Sequence, residues 1–394
     1  MTPGARLAAA IELLDAVIAA AREGGAAADT LIARYFATRR YAGSKDRRAV
    51  RELVYEAIRR FGEPPPTGRA AMVALAEIDP GVAALFDGSA HAPPAIDPDE
   101  PRAVEARVPG WLGRRLVESG LDPADIASLI DRAPLDLRVN RLRATAGELA
   151  GQFAEARLVD GAPDALRLPT GTMVDQMPAW QDGLIEIQDV GSQIVAAAAR
   201  VEPGMHVIDL CAGGGGKALT LAAAMDNHGV VLATDVDRTR LSRLAPRAER
   251  AGATIIETRL LDGDREAAAL EDWNDRADVV LIDAPCSGTG TWRRNPEARW
   301  RLSPPRIARL VATQSRLLDL GATLVRPGGA LVYIVCSLLD AEGAGQVDRF
   351  LADHPGWTAE APIAQGRARG VGKRLTPAHD ATDGFFVARL IRPC

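Results

Sequence analysis

The chain has 394 residues, of which 47% are hydrophobic and 25% charged, with a formal net charge of −5 at pH 7. That length leaves room for two or three domains. The charge argues against a bulk polyanion binder, and no apolar run approaches the length of a membrane span. The four cysteines are Cys211, Cys286, Cys336 and Cys394. No two have the spacing of a metal knuckle, and a chain of this size needs no disulfide frame. A reducing cytoplasm is the expected compartment, and the histidines show no ligand spacing, so no metal is assigned.

In chain order, residues 1–62 read as helices. IELLDAVIAAAREG and KDRRAVRELVYEAIRRFG both repeat apolar residues at helical spacing. Glu12 and Asp15 interrupt the first apolar stretch, which makes it an amphipathic helix rather than a signal peptide. The run GEPPPTG (62–68) breaks the pattern. Short helical stretches continue to about residue 130 around HAPPAIDPDEP (91–101), a loop by composition. From Pro134 the texture changes to a strand at LDLRVNRL, a helix at TAGELAGQFAEA (145–156) and a strand at ALRLPTG, a small α+β unit. From residue 205 strands alternate with helical stretches: HVIDL, VVLATDV, TIIETRL, DVVLIDA and ALVYIVCS, with FFVARLIR near the end. Alternation of that kind predicts an α/β fold with a mostly parallel sheet covered on both faces.

The chemistry collects at the ends of those strands, where open α/β sheets bind ligands. Gly213, Gly214, Gly215 and Gly216 follow VIDL and precede a helix that starts near Lys217, so backbone N–H groups and a helix N-terminus are offered together. Asp235 ends the second strand, where an acid accepts from ribose hydroxyls. Asp262 follows the third strand, within reach of an adenine. The loop lacks the GxxxxGK[ST] pattern of triphosphate sites and does not cleanly meet G-x-G-x-x-G, which leaves S-adenosylmethionine as the better candidate. Cys286, in DAPCSGTG (283–290), and Cys336, in YIVCS (333–337), each end an apolar strand. Two thiols facing one site suit a covalent intermediate whose formation and breakdown are both assisted. Asp209 is read as ordering the loop, Cys211 as a small hydrophobe and Cys394 as a terminal thiol without a role. Asp189, Gln193 and Asp383 are read as structural.

Four basic runs stand out against the acidic total. RRNPEARWRLSPPRIAR (293–309) holds six Arg and one acid, and LRVNRLR (137–143) holds three Arg and no acid. RARGVGKR (367–374) and TRRYAGSKDRRAVR (38–51) are the others. Local patches of this kind are the footprint of a nucleic-acid partner, and the first two are expected to grip phosphates.

Taken together, LRVN (137–140), QDVGSQ (188–193), DLCAGGGGK (209–217), DVDRTRLSRL (235–244), DAPCSGTG, RRNPEARWR (293–301), the Cys-Ser at 336–337 and RLTPAHDATDGFF (374–386) closely resemble the Sun/RsmB-type RNA (cytosine-5)-methyltransferases. The resemblance runs from about Arg138 to Arg392. It implies a Rossmann-like class I methyltransferase domain over 191–394. A small α+β RNA-binding module would cover 131–190, and a helical RNA-binding domain similar to the antitermination factor NusB would cover 1–130. It implies S-adenosylmethionine held by Cys211, Ala212, Gly213 to Gly216, Lys217, Asp235, Asp262 and Asp283. It makes Cys336 the attacking nucleophile and Cys286 the group that assists release. Asp283, as a protonated carboxyl, would hold the base. Lys217 would lower a thiol pKa or hold cofactor and substrate, and Pro285 would shape the turn presenting Cys286.

Two departures are visible: the family's Ala-Pro-Gly-Gly-Lys-Thr is Gly-Gly-Gly-Gly-Lys-Ala here, and its Thr before the second Cys is Val335. The partner implied is RNA, small-subunit rRNA before tRNA, with the protein expected as a cytoplasmic monomer. A non-catalytic RNA-binding assembly factor would need neither thiol nor Asp283. A DNA cytosine methyltransferase places its Pro-Cys motif differently.

Overall fold

The computed structural model describes residues 1–153 and 155–394, and the chain divides into two compact units. The first comprises Met1–Arg132 together with Thr291–Pro304, the second Ala133–Gly290 and Pro305–Cys394. Among the described residues no helix is long and apolar enough to cross a membrane.

The first unit is helical. Its main helices are Pro3–Glu23, Ala28–Ala37, Ser44–Arg60 and Gly68–Ala76. Thr2 caps the first by accepting the Ala5 N–H at 3.2 Å, with Pro3 at the helix start where its missing N–H costs nothing. Gly24 ends it in the left-handed conformation. Leu7, Leu14, Val54, Ile58 and Met72 are fully buried in one core that also takes in Trp300. The segment 291–304 supplies this core with polar anchors. Arg299 donates to the carbonyls of Arg59 and Phe61, both at 3.0 Å, and of Ile58 at 2.5 Å, capping the last turn of Ser44–Arg60 with a cation. Trp300 Nε1 donates to the Phe61 carbonyl at 2.7 Å, and the Glu297 carboxylate accepts the Ala28 N–H at 3.1 Å. Burial pushes the Arg299 guanidinium down to about 9. The basic run expected to grip phosphates is therefore partly internal: Arg293 and Arg299 are buried, while Arg306 and Arg309 are exposed.

The second unit begins with a four-stranded antiparallel sheet. Its strands are β1 (Leu135–Val139), β2 (Arg157–Val159), β3 (Ala162–Leu168) and β4 (Ile185–Ile187), in the order β2-β3-β1-β4. The helix predicted over 145–156 is shorter, Ala146–Ala150, and Ala154 lies outside the described residues. In this basic run Arg143 is committed to the fold, donating to the carbonyls of Asp182 and Ala251, while Arg138 of β1 is buried.

The large sheet follows. Its parallel strands are β5 (His206–Asp209), β6 (Val230–Asp235), β7 (Ile256–Leu260), β8 (Ala277–Asp283) and β9 (Val325–Val335). Three short strands, β10 (Thr358–Glu360), β11 (Arg367–Arg369) and β12 (Gly372–Leu375), precede β13 (Phe385–Ile391), which lies antiparallel to β9. The order is β11-β12-β13-β9-β8-β5-β6-β7, with β10 pairing β13. The chain crosses from β7 to β8 beside β5, so the strand order reverses at β5 and leaves a crevice beyond its carboxyl end. Apolar β-branched residues on β5, β6, β8 and β9 are buried on both faces, Val207 and Val279 against one core, Ile208 and Val280 against the other. In the basic run 367–374, Arg369 and Arg374 both pair with Asp340.

Candidate active site

Lys217, Asp283, Cys286 and Cys336 come together at the carboxyl end of the large sheet. Asp283 is the last residue of β8, and its neighbour Ala284 donates to the Ile334 carbonyl of β9 at 2.9 Å, which locks the two strand ends in register. Cys336 follows β9 directly. The sulfurs of Cys286 and Cys336 lie 3.4 Å apart. Lys217, one residue into the helix Gly216–Ala224, donates from Nζ to Asp283 Oδ2 at 2.5 Å. Burial works to lower the Lys217 pKa, but the Asp283 carboxylate outweighs it and the net direction is upward, with Cys336 adding in the same sense. Lys217 and Asp283 thus form a close ion pair at the strand end. The Cys286 thiol is pushed well up, first by its hydrogen bond with Cys336, then by burial and the Cys336 charge.

What fixes the cysteine loops is a buried carboxylate that sequence reasoning missed. Glu342, fully buried, accepts the Ser287 N–H at 2.8 Å and the Ser337 hydroxyl at 2.6 Å, and the Ser287 hydroxyl also donates to it. Gln314 adds Nε2 donations to Glu342 at 3.1 Å and to the Pro285 carbonyl at 2.9 Å. Ser287 and Ser337 each follow a cysteine. Gly290 donates to the Cys336 carbonyl at 3.0 Å and accepts the Gly384 N–H at 2.8 Å. A Cβ on either glycine would run into the other's backbone, so this close approach requires both. Nothing in the local pattern announces Glu342; its partners lie up to 55 residues away.

The glycine loop turns through Gly213 and Gly215, which have φ of 54° and 82°, and a side chain on Gly215 would collide with Leu244. Ala212 donates to the Thr234 carbonyl and Gly215 to the Ala212 carbonyl, both at 2.8 Å. Gly214 accepts from Arg247, whose other amino group holds Glu186 of β4 at 2.9 Å. A Cβ on Gly216 would meet nothing, so open space lies above the loop at the helix N-terminus. Asp235 accepts the Gly213 N–H at 2.8 Å and the Asp237 N–H at 2.7 Å, one on each oxygen. Asp262 is exposed just past β7.

Asp209 lies at the end of β5, before the loop. It is fully buried, and neither oxygen meets a donor within strict hydrogen-bond geometry, although the Ala218 N–H just past the loop still favours its ionised form. Burial first, then the Asp283 charge, raises it to about 7, with Lys217 opposing. Cys211 is partly buried against the core, and burial pushes its thiol up. Asp189 caps the helix Val190–Ala196 and accepts the Asp383 N–H, and Gln193 donates to the carbonyls of Leu137 and Gln188.

These residues fit a sulfonium-bearing adenosine cofactor. The loop offers open space at a helix N-terminus. Asp235 has lone pairs left for ribose hydroxyls.

Residues 196–391 match the model of the 16S rRNA methyltransferase RsmB/F family. The "Probable ribosomal RNA small subunit methyltransferase B" of Synechocystis sp. is 36% identical over 297 residues, covering 72% of this chain and 66% of that protein. The ribosomal RNA small subunit methyltransferase B of Salmonella arizonae is 35% identical over 295 residues, with the same coverage of 72% and 66%. The chain thus spans just under two thirds of the length of these relatives. Among solved structures, the protein PH0851 aligns with a TM-score of 0.77 at 24% identity, covering 99% of both chains. NSun6 from Pyrococcus horikoshii, solved with SFG, aligns with a TM-score of 0.61 at 18% identity over 68% of this chain and 93% of its own. The fold is that of the class I methyltransferases, whose cofactor is S-adenosylmethionine, and the chain belongs to the RsmB/F (Sun) family.

Proposed function

We propose that this protein methylates carbon 5 of a cytosine in RNA, in small-subunit ribosomal RNA, through a covalent bond between Cys336 and the base. The observation that carries the reading is the 3.4 Å approach of the Cys286 and Cys336 sulfurs beside the Lys217–Asp283 pair. Bound S-adenosylmethionine supplies the methyl group as an electrophilic sulfonium. Carbon 5 of cytosine is too weak a nucleophile to take it unaided. Addition of the Cys336 thiolate to carbon 6 forms a C–S bond and moves the C5–C6 electron pair toward carbon 5. Asp283 accepts from the exocyclic amine of the base, and the Lys217 ammonium behind it is the donor available as N3 gains a proton. Once carbon 5 carries the methyl group, loss of its proton re-forms the double bond and expels the Cys336 thiolate. Cys286 takes that proton.

Preference for ribosomal RNA rests on the names of the relatives. The target base must be extruded or unpaired to reach this crevice. The β1–β4 module and the helical unit are read as RNA-binding parts. In the helical unit Tyr41 is 72% exposed among the exposed Arg40, Lys45, Arg47 and Arg48, a ring for stacking within a basic surface. The test is the pair of cysteine variants. With S-adenosylmethionine and RNA both present, Cys286→Ala should accumulate a protein–RNA adduct that survives denaturing electrophoresis, and Cys336→Ala should give neither adduct nor methylated product. Turnover by Cys336→Ala would overturn the assignment.

A further inference from the structure

A second cavity in the catalytic unit holds a buried cation that the methyl-transfer chemistry does not use. Its volume is about 270 Å³, and its wall includes Arg138, Arg141, Arg200, Gln193, Thr220 and the exposed Ala197. Arg138 is 2% exposed. Its Nε donates to Gln188 Oε1 at 2.7 Å, an oxygen that also receives the Thr220 hydroxyl at 3.2 Å. The bond to Gln188 is the one side-chain hydrogen bond Arg138 makes among the described residues, and the guanidinium forms part of the cavity wall. Glu186, its partner across β1 and β4, is bridged instead by Arg247 and Arg250. Among the described residues of the cavity wall Asp164 is the only acid, against three arginines, of which Arg200 is paired with Glu360. Burial outweighs the support that Glu186 and Asp164 lend to the Arg138 charge, and lowers it to about 10; a buried cation so weakly compensated is costly, and an anion at its open side would relieve it. Gln193 adds the complementary vacancy. Its Nε2 is spent on two backbone carbonyls, while its Oε1, also buried, has no donor. The rest of the wall is largely apolar, with Ile194 and Leu221.

A ligand for this cavity must therefore bring anionic oxygens, a hydroxyl or N–H donor a few ångströms away, and an apolar body. The volume lies just under the usual small-ligand range of roughly 300–1,000 Å³, enough for one unit and not two. We propose that the cavity is a phosphate-binding pocket for a single ribonucleotide, with the Arg138 guanidinium on the phosphate and the Gln193 carbonyl on a sugar hydroxyl. Arg138 is the residue suited to this, since its planar fork matches phosphate oxygens. The pocket does not rest on the methyl-transfer reading, and it would survive that reading's failure. The nucleotide can come from two sources, a residue within an RNA strand or a free mononucleotide.

The experiment is calorimetry on the full chain with cytidine 5′-monophosphate, cytidine and inorganic phosphate. Anisotropy with a short single-stranded RNA over a salt series accompanies it. The monophosphate should bind and cytidine should bind at least 10-fold more weakly. Arg138→Met, which keeps length and removes charge, should weaken the monophosphate at least 10-fold. Ala197→Glu, an acid at the exposed rim, should do the same without touching the core. S-adenosylmethionine affinity, unchanged in both, serves as the control for folding. If the pocket takes a strand, the monophosphate will compete with RNA, and the salt slope of RNA binding will fall by about 0.7 in the variants, the value of one single-strand phosphate. If RNA binding is indifferent to both, the ligand is a free nucleotide. Should Arg138→Met fail to fold, Ala197→Glu decides alone. No binding of monophosphate or phosphate by the wild type, together with RNA binding unaltered in the folded variants, would overturn the pocket.

Discussion

The Glu342 carboxylate accepts the Ser287 N–H at 2.8 Å, and by that bond the loop after Cys286 is tied to the loop after Cys336. Catalysis by two thiols depends on their separation, and misplacement of about 1 Å can cost 10²-fold in rate. Besides the other sulfur, Cys286 is met by the Gly288 backbone N–H of its own loop, so the spacing is inherited from the loops.

Glu342→Ala should therefore fail twice. It strands the Ser287 N–H, the Ser337 hydroxyl and Gln314 in a buried site, at a cost of about 2–4 kcal/mol in stability. It should also lower kcat by more than that loss of folded protein accounts for. Glu342→Gln keeps one carbonyl acceptor, while the two serine hydroxyls can turn to accept from its amide. It should recover most of the stability and part of the rate. Thermal melting and single-turnover methylation at a temperature where all three proteins are folded check this. A fully active, folded Glu342→Ala would show that the thiols are placed by something else.

Asp209 gives a pH signature. Its carboxyl is raised from 3.8 to about 7, by burial first and by Asp283 second. The folded chain thus keeps a proton that the unfolded chain releases between those values. The stability it contributes is fully present below pH 3.8 and is lost as pH rises to about 7. Other carboxyls, such as Asp278 and Glu266, are lowered and slope the opposite way, so the difference between variant and wild type is the useful measurement. Asp209→Asn should be more stable than wild type at pH 8 by an amount on the order of 1–3 kcal/mol, with the advantage shrinking toward pH 5. Denaturant unfolding at several pH values reads it. A difference that does not vary with pH would mean that Asp209 is not held protonated.

The motifs of the candidate site were legible because each is contiguous and each ends a strand. Asp283 and Cys286 lie within one short run, Cys336 ends another, and the strand-end rule alone sets them face to face. The five parallel strands and β13 were legible for the same reason, being long apolar runs. The short strands β10, β11 and β12 were not, since three or four residues carry no periodicity and owe their conformation to pairing with β13 or with one another. Burial of charge was the other blind spot. RRNPEARWR looks like a phosphate clamp, but an arginine on a surface and an arginine capping a helix from within have the same local sequence. Only the carbonyls of Ile58, Arg59 and Phe61, some 240 residues away, distinguish them.

That distinction is testable. Arg299→Ala removes this donor from the Ile58 and Arg59 carbonyls inside the helical unit, Phe61 keeping Trp300, and stability should fall by about 2–4 kcal/mol. RNA affinity measured well below the melting temperature should be little changed. Arg306→Ala with Arg309→Ala, both exposed at the start of the helix Pro304–Leu324, should leave melting within about 0.5 kcal/mol of wild type. If these two touch phosphates, the salt slope of RNA binding should fall with them. A folded Arg299→Ala that loses RNA binding selectively would return that residue to the interface.

The two thiols should also ionise in sequence. The largest influence raising the Cys286 thiol is its hydrogen bond with Cys336, followed by burial and then the Cys336 charge. Two of these three belong to Cys336 and vanish when its sulfur is bonded to carbon: a thioether is uncharged and a poor hydrogen-bond partner. Cys286 would thus stay a thiol while Cys336 attacks, which keeps two negative sulfurs from facing each other at 3.4 Å. It would ionise more readily once the adduct has formed, releasing its proton to solvent and becoming able to take the one on carbon 5. Cys336→Ala removes the same two influences without any substrate. The Cys286 pKa in that variant should fall from its wild-type value while staying above that of an exposed thiol, because burial remains. Thiolate absorbance in the ultraviolet, or the pH profile of alkylation by iodoacetamide with Cys211 and Cys394 replaced by serine, measures it. An unaltered Cys286 titration would mean that burial alone sets it, and the order of ionisation would have to come from the substrate.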